Sequence, residues 1–75
     1  MSSLPSLSGR ELITALQKVG FVVKRQKGSH IVLRREDPYC QTVVPDHKTL
    51  DRGTLHAILR QAEITGSELE RLLSA

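Results

Sequence analysis

One histidine stands in the most basic stretch of this 75-residue chain. His30 directly follows Gly28-Ser29, a pair typical of a tight turn between two strands. Residues 18–35 hold six Lys or Arg side chains and no Asp or Glu. Neighbouring cations favour a neutral imidazole that can act as a base, whereas a bound phosphate favours an imidazolium that can act as an acid. Both forms suit the cleavage of RNA, in which a base takes the proton of a 2′-hydroxyl and an acid protonates the leaving 5′-oxygen.

A structural role for His30 is the main alternative. A lone histidine in a strand is commonly a packing or hydrogen-bonding residue, and no paired base marks a catalytic dyad here. Catalysis and packing are therefore both kept as interpretations of His30 on spacing alone.

The charge of the chain indicates an anionic partner. The net charge is +3 and the pI is about 9.5, and a cluster of cations is typical of nucleic-acid-binding surfaces, although a solvated basic face is the common alternative. Lys48 and Arg52 flank a later helix start, where free N–H groups favour phosphate; ordinary capping beside exposed cations is the alternative there. The predicted RNA-binding residues are Lys24, Arg25, Lys27, Gly28, Ser29, Arg34, Lys48 and Arg52.

Composition argues against several other classes of protein. Cys40 is the single cysteine and the three histidines are scattered, so neither a disulfide framework nor a zinc pattern is present. No Asp/Glu cluster suited to Mg²⁺ is visible, and we predict no metal and no cofactor. One Phe, one Tyr and no Trp disfavour recognition of RNA by a row of stacked rings. No apolar run is long enough for a bilayer span, so we expect a cytoplasmic protein without a membrane partner.

Capping signals begin three predicted helices. Ser8 and Glu11 have the spacing of a capping box, and an apolar stripe then leads to Gly20, a typical helix stop. Asp51 caps a second helix with apolar residues at helical spacing, and a further capping box begins at Thr65. The first and last of these helices are expected over residues 9–19 and 66–75.

Three β-favouring segments lie between the two core helices, at residues 21–26, 30–35 and 41–44. Short links between them predict an antiparallel meander. Alternation places Ile31 and Leu33 on one face of the second strand, and His30 and Arg34 on the other, accessible face. Both core helices should cover the Ile31 face, because their apolar stripes have no other surface to bury. The predicted core residues are Leu12, Leu16, Phe21, Ile31, Leu33, Leu55, Ile58 and Leu59.

These elements predict one domain over residues 1–75, with a flexible lead-in over residues 1–7. The predicted class is α+β, in the order α-β-β-β-α, with a three-stranded antiparallel sheet packed on two helices and a short C-terminal helix. A chain of this length buries only a little over ~60% of the surface that its unfolded form exposes, so its stability should be modest.

Four strings of residues occur in the order and spacing of a known family: Gly20-Phe21, Gly28-Ser29-His30, Pro45-x-His47 and Gly53-Thr54-Leu55-x-x-Ile58-Leu59-x-Gln61-Ala62. From about Leu7 to Thr65 the chain resembles the HicA toxins, also called YcfA-like proteins. The resemblance implies a fold similar to double-stranded-RNA-binding domains. It also implies an mRNA interferase that inhibits translation by cleaving mRNA, partnered by a HicB-like antitoxin in a type II toxin-antitoxin system. The histidine of the Gly-Ser-His string is catalytic in that family, which implies the same role for His30.

Two alternatives stand beside a metal-independent endoribonuclease. A non-catalytic RNA-binding regulator would use the same basic surface without chemistry, and an RNA cleavage assay in EDTA separates the two. A protein-interaction module, suggested by the small size, the small sheet and a detached C-terminal helix, predicts salt-insensitive binding to a protein and negligible affinity for RNA. Of the other histidines, His47 is interpreted mainly as a backbone hydrogen-bonding residue and His56 as a helix-surface residue.

Overall fold

The structure, a computed structural model, describes residues 4 and 6–74. Within them the chain forms α1 (Gly9–Gln17), β1 (Val22–Lys27), β2 (His30–Glu36), β3 (Tyr39–Pro45), α2 (Arg52–Ala62) and α3 (Gly66–Ser74). The strands form one antiparallel sheet in the order β1-β2-β3. The predicted α+β class and order of elements are therefore confirmed. None of the helices in this part of the chain is long and apolar enough to cross a membrane.

The helices α1 and α2 begin where the capping signals predict. Ser8 Oγ accepts a hydrogen bond from the Glu11 N–H at 3.0 Å, and Glu11 Oε1 accepts one from the Ser8 N–H at 2.8 Å. Asp51 Oδ1 accepts a hydrogen bond from the Thr54 N–H at 2.8 Å, which holds the pKa of the Asp51 carboxyl below its usual range. These bonds satisfy donors that the first helical turn leaves unpaired. Gly20, with a φ of +97°, ends the turn after α1 as expected.

The core lies between one face of the sheet and the helices. Ile31, Leu33 and Val44 are almost completely buried and belong to one apolar cluster with residues of α1 and α2. Burying a large apolar side chain contributes about 1.5–3 kcal/mol, so this layer holds both helices on the sheet. The predicted core is confirmed, since its members are all buried: Leu12, Leu16, Phe21, Ile31, Leu33, Leu55, Ile58 and Leu59.

The sheet is uncovered on its other face, as far as the described residues go. Every residue of β1 is exposed, and Val22 retains 56% of its accessible surface. Val43 of β3 is also exposed, whereas Val32 in the central strand is buried between its cross-strand neighbours Arg25 and Val43. The accessible face predicted for His30 is this uncovered face.

The C-terminal helix α3 packs on the body of the protein against α1. Leu69 is completely buried and belongs to the core cluster. Lys18 Nζ donates a hydrogen bond to the Leu72 carbonyl oxygen at 2.7 Å. At the start of α3, Thr65 Oγ1 accepts a hydrogen bond from the Glu68 N–H at 3.1 Å. Contrary to the protein-interaction interpretation, this helix is not detached.

The segment before α1 contributes to the same core. Leu4 and Leu7 are buried, and the Leu7 carbonyl oxygen accepts a hydrogen bond from the Leu50 N–H at 2.9 Å. Of the lead-in predicted as flexible, residues 1–3 and 5 lie outside the described residues. The burial of Leu4 and Leu7 was not predicted, because isolated leucines lack the periodicity that marks a helix or a strand.

Candidate functional site

His30 lies at the tip of the β1–β2 hairpin. Lys27 and His30 form the last cross-strand pair before the two-residue turn Gly28-Ser29. Gly28 has a φ of +59°, a left-handed conformation that glycine adopts without a steric penalty. The Gln26 side-chain amide also donates a hydrogen bond to the Gly28 carbonyl oxygen at 3.0 Å. The predicted tight turn is confirmed, and His30 is an exposed first residue of β2.

The hairpin tip is tied to α1 through Asp46. The Asp46 N–H donates a hydrogen bond to the Ser29 carbonyl oxygen at 2.6 Å. The Asp46 carboxylate accepts two hydrogen bonds from the Arg10 guanidinium, at 3.1 and 3.0 Å. Arg10 thereby holds the pKa of the Asp46 carboxyl below its usual range. A bidentate pair fixes geometry as well as charge, so the backbone beside His30 is oriented from α1.

Close approach of α1 to β3 occurs at Gly9. The Gly9 N–H donates a hydrogen bond to the His47 carbonyl oxygen at 2.9 Å. A Cβ at Gly9 would collide with the Pro45 carbonyl oxygen. Pro45 is the cross-strand partner of His30. The missing side chain therefore lets α1 support the strand residue beside the candidate catalytic histidine.

A β-bulge in β1 decides which cations lie beside His30. The register skips Lys24, so that Arg25 pairs with Val32 and Lys27 pairs with His30. Uninterrupted pairing would turn Arg25 toward the core face instead, because a shift of one residue reverses the face of every side chain that follows. The bulge thus brings Arg25 and Lys27 to the side of the sheet that carries His30.

The uncovered side of the sheet forms a mixed basic and apolar surface. Its residues are arranged in three rows that run from β1 to β3: Lys27-His30-Pro45, Arg25-Val32-Val43 and Val22-Arg34-Gln41. We call these residues the basic face. Cross-strand neighbours lie about 4.5–5.5 Å apart between Cβ atoms, so each cation is close to the central strand. The face can bind phosphate groups around an accessible imidazole.

Arg34 is not a free cation on this face. Its Nε lies 3.0 Å from Glu36 Oε2 in an ion pair. The angle between the two groups is unsuitable for a hydrogen bond, and this buried Nε donates none within the described residues. Side chains two residues apart on a strand share a face, which brings Glu36 to Arg34. Because the Glu36 carboxylate offsets the charge of its guanidinium, Arg34 contributes less net positive charge than Arg25 or Lys27.

Three predicted RNA-binding cations lie outside the basic face. Lys24 is exposed at the bulge, Lys48 is exposed in the loop after β3, and Arg52 is the exposed first residue of α2. His47 is exposed in the same loop, and its backbone carbonyl oxygen accepts the hydrogen bond from the Gly9 N–H. His56 is exposed on α2, as predicted. The structure therefore places Arg25, Lys27 and Arg34 on the same sheet face as His30, but it does not place Lys48 or Arg52 on the sheet.

A groove between β3 and α2 opens beside His30. Its volume is about 390 Å³, and its lining includes His30, Gln41, Thr42, Pro45 and Gln61. The buried Thr42 hydroxyl donates a hydrogen bond to Gln61 Oε1 at 2.7 Å, and the Cys40 thiol donates one to the Gln61 carbonyl oxygen at 2.7 Å. Sequence reasoning did not single out this groove; its one signal was the presence of Gln61 in the last of the four motif strings.

The side chains of this site are of kinds that can transfer a proton and bind phosphate. Among the described residues, no group of three or more His, Cys, Asp or Glu side chains is placed to hold a metal ion. Cys40 is a free, buried thiol. An exposed imidazole can move a proton next to a bound phosphodiester. The neighbouring cations Lys27 and Arg25 can stabilise the negative charge that develops there.

Fold and site together define a small α+β protein with one histidine among cations on an uncovered sheet face. Residues 9–64 match the model of the HicA toxin family of bacterial toxin-antitoxin systems. Because this match covers more than half of the 75 residues, the chain belongs to the HicA toxin family. None of the curated proteins matches the chain. The resemblance carried by the four motif strings is confirmed, and all four lie within the matched segment.

Proposed function

We propose that this chain is the toxin of a type II toxin-antitoxin system and that it cleaves mRNA as a metal-independent endoribonuclease. The observation that carries the proposal is the position of His30, which is exposed at the tip of the β1–β2 hairpin. Lys27 is its cross-strand neighbour, and Arg25 lies in the next row of the basic face. Membership of the HicA toxin family supports it, because the Gly-Ser-His histidine is the catalytic residue implied by that resemblance. The proposed substrate is single-stranded or translating mRNA in the cytoplasm, and its cleavage inhibits translation.

His30 is the proton-transfer group of the proposed reaction. The 2′-hydroxyl of one nucleotide attacks the neighbouring phosphorus and loses its proton to a base, while the bond to the leaving 5′-oxygen breaks and that oxygen takes up a proton. The products are a 2′,3′-cyclic phosphate and a 5′-hydroxyl. A positioned general acid or base contributes roughly 10²–10⁴-fold to such a rate. We infer that this positioning comes from the hydrogen bond of Asp46 to Ser29 and from the close approach of Gly9 to Pro45.

Cations around His30 are proposed to bind the phosphodiester. Lys27 is the direct neighbour of His30 and Arg25 lies in the next row of the basic face. Positive charge at these sites stabilises the extra negative charge that develops on the phosphate during attack. Gly28 and Ser29 let the RNA backbone approach the turn, because neither has a long side chain. The remaining members of the proposed RNA-binding set are Lys24, Arg34, Lys48 and Arg52.

A HicB-like antitoxin is the proposed protein partner. A toxin must be silenced in the cell that makes it, and the chain belongs to a toxin family of toxin-antitoxin systems. A carboxylate-rich surface on the partner would complement the basic face and cover His30 at the same time. Inhibition would then be both steric and electrostatic.

Replacement of His30 by alanine tests the catalytic proposal. We expect the wild-type chain to cleave a labelled RNA in the presence of EDTA and to leave 2′,3′-cyclic phosphate ends. The His30→Ala variant should lose at least about 10²-fold in cleavage rate and should no longer inhibit growth, because proton transfer is lost. Its far-UV circular dichroism and its RNA affinity should stay close to those of the wild type.

Two control variants complete this experiment. His56→Ala removes an exposed imidazole on α2 and should cleave at the wild-type rate. His47→Ala measures any contribution of the loop imidazole. A wild-type rate in His30→Ala would refute the catalytic assignment. A wild-type chain that shifts RNA but leaves it intact would instead identify a non-catalytic RNA-binding regulator.

A further inference from the structure

We propose that the groove between β3 and α2 is a base-recognition subsite, in which the Gln61 side chain reads the edge of an RNA nucleobase next to the cleaved bond. This inference rests on the proposed function, because the groove is assigned to a nucleotide whose phosphate is bound beside His30. His30 of β2 and Gln61 of α2 both line the groove. The subsite would make Gln61 a specificity-determining residue.

The carboxamide of Gln61 is oriented by a buried hydroxyl. Thr42 is only 2% exposed, and its hydroxyl donates a hydrogen bond to Gln61 Oε1 at 2.7 Å. Gln61 itself is exposed, and within residues 4 and 6–74 its Nε2 makes no hydrogen bond. An amide whose oxygen is engaged presents its two N–H donors in a defined direction. Such donors recognise the oxygen and ring-nitrogen acceptors on the edge of a base.

The position of Gln61 on α2 is fixed as firmly as its side chain. Its backbone carbonyl oxygen accepts a hydrogen bond from the Cys40 thiol at 2.7 Å. Ala62, the next residue, is completely buried in the core. A recognition group needs this kind of support, because an error of about 1 Å removes a hydrogen bond to a base edge.

The groove has a size and lining that suit a nucleobase. Its volume of about 390 Å³ falls in the lower part of the ~300–1,000 Å³ range that is typical of ligand pockets. Val43, Pro45 and Ala57 give it apolar walls that can contact the flat face of a base. Aromatic rings usually supply that contact, but this chain has one Phe and one Tyr. Gln41 adds a second carboxamide to the lining.

Geometry around His30 separates phosphate binding from base recognition. In the first row of the basic face, Lys27 lies on one side of His30 and Pro45 lies on the other. Pro45 belongs to the lining of the groove, whereas Lys27 does not. A phosphodiester bound between Lys27 and His30 can therefore direct one of its bases across Pro45 toward Gln61.

Replacement of Gln61 by methionine removes the amide at nearly constant side-chain volume. Cleavage of a random-sequence RNA pool, read by sequencing the product ends, reports the base preference on each side of the cut. We expect the wild type to prefer particular bases at one flanking position, and Gln61→Met to reduce that preference about tenfold, which corresponds to the loss of one base-edge contact. The summed cleavage rate should change much less, because His30 and the cations are intact.

Further variants separate recognition from folding and charge. Gln61→Glu keeps an oxygen acceptor for the Thr42 hydroxyl but lacks the N–H donors, so it should also lose the preference. Gln17→Met and Gln17→Glu make the same changes at an exposed position of α1 and should keep it. Thr42→Ser retains the hydroxyl and should keep it as well. An unchanged base distribution in both Gln61 variants would overturn the subsite.

A binding measurement distinguishes failure of the subsite from failure of the proposed function. Short single-stranded RNAs that differ in one base are titrated into His30→Ala and into His30→Ala/Gln61→Met. The ratio between the strongest and the weakest affinity should fall about tenfold in the double variant. A protein that cleaves RNA with the same preference in Gln61→Met overturns the subsite and keeps the endoribonuclease. A protein that binds bases through Gln61 but never cleaves overturns the endoribonuclease alone, and one that neither cleaves nor binds RNA overturns both.

Discussion

At the scale of single residues, the proposed chemistry of His30 depends on neighbours that take no part in proton transfer. Its cross-strand partners are Lys27, which supplies charge, and Pro45, which α1 approaches closely at Gly9. Asp46 ties the preceding residue, Ser29, to Arg10. A catalytic group gains from such ties because a small displacement of a reacting atom costs much of the rate.

Gly9 gives the first prediction at this scale. A methyl group at Gly9 would collide with the Pro45 carbonyl oxygen, so Gly9→Ala should force α1 away from β3. We expect a loss of about 1–3 kcal/mol in the free energy of unfolding, the usual cost of overpacking. Urea denaturation followed by circular dichroism measures this loss.

Gly53→Ala is the matched control for Gly9. A Cβ at Gly53 would meet only Asp51 Oδ1, at an ordinary contact distance of 3.5 Å. Alanine there should leave stability unchanged or raise it by up to about 1 kcal/mol, since it lowers the entropy of the unfolded chain. Equal effects of the two substitutions would show that α1 does not pack closely on the end of β3.

At the scale of secondary-structure elements, α3 is a part of the folded domain. Its Leu69 is completely buried, while Leu73 four residues later is 36% exposed. A helix with one apolar stripe must cover that stripe, and α1 provides the surface. The apolar area that α3 buries matters for stability, because a small domain buries a smaller fraction of its surface than a large one.

Substitution of the two leucines tests whether α3 is docked in solution. Leu69→Ala should lower the free energy of unfolding by about 2–5 kcal/mol, because it leaves a cavity in the core. Leu73→Ala removes the same atoms from a partly exposed position and should cost less than about 1 kcal/mol. Chemical denaturation of both variants gives the comparison. Similar small losses at both positions would mean that α3 does not contribute its apolar stripe to the domain.

At the scale of the whole molecule, the fold separates two surfaces. All three helices lie on the core side of the sheet or pack on one another, in the part of the chain that the structure describes. The basic face is left accessible, with Lys27 beside His30 and the other cations in the next rows. An RNA and a carboxylate-rich antitoxin would both be attracted to this one surface, so we expect them to exclude each other.

Charge reversal tests this shared surface. The Arg25→Glu/Lys27→Glu variant should bind both RNA and the proposed HicB-like antitoxin at least about tenfold more weakly, with a slower and less salt-sensitive association. Arg25 and Lys27 are chosen over Arg34, because Arg34 is paired with Glu36. Isothermal titration and stopped-flow kinetics measure the two effects. His30→Ala should spare the antitoxin complex.

A double variant with the same change in net charge serves as the control. Arg60→Glu/Arg71→Glu reverses two exposed cations on α2 and α3, away from the sheet face. Its affinity for the antitoxin should stay near that of the wild type. A larger loss in this control than in the basic-face variant would place the antitoxin on the helices instead.

The sequence by itself determined the elements, most of the core and the place of His30. The capping bonds at Ser8 and Asp51 join residues three apart, and helix and strand periodicities extend over one element, so short-range chemistry was enough. For the same reason Gly28 could be assigned to a tight turn. Family motifs added the resemblance that the match over residues 9–64 confirms.

Only the tertiary structure decided how the site is completed. The tie from Arg10 to Asp46 spans 36 residues and the bond from Thr42 to Gln61 spans 19, distances over which local pattern carries no information. The bulge at Lys24 is local in sequence, but it forms only when β1 pairs with β2. Burial of Leu4 likewise depends on a surface formed by distant elements. Packing of separate elements creates these contacts, so they exist only in the folded chain.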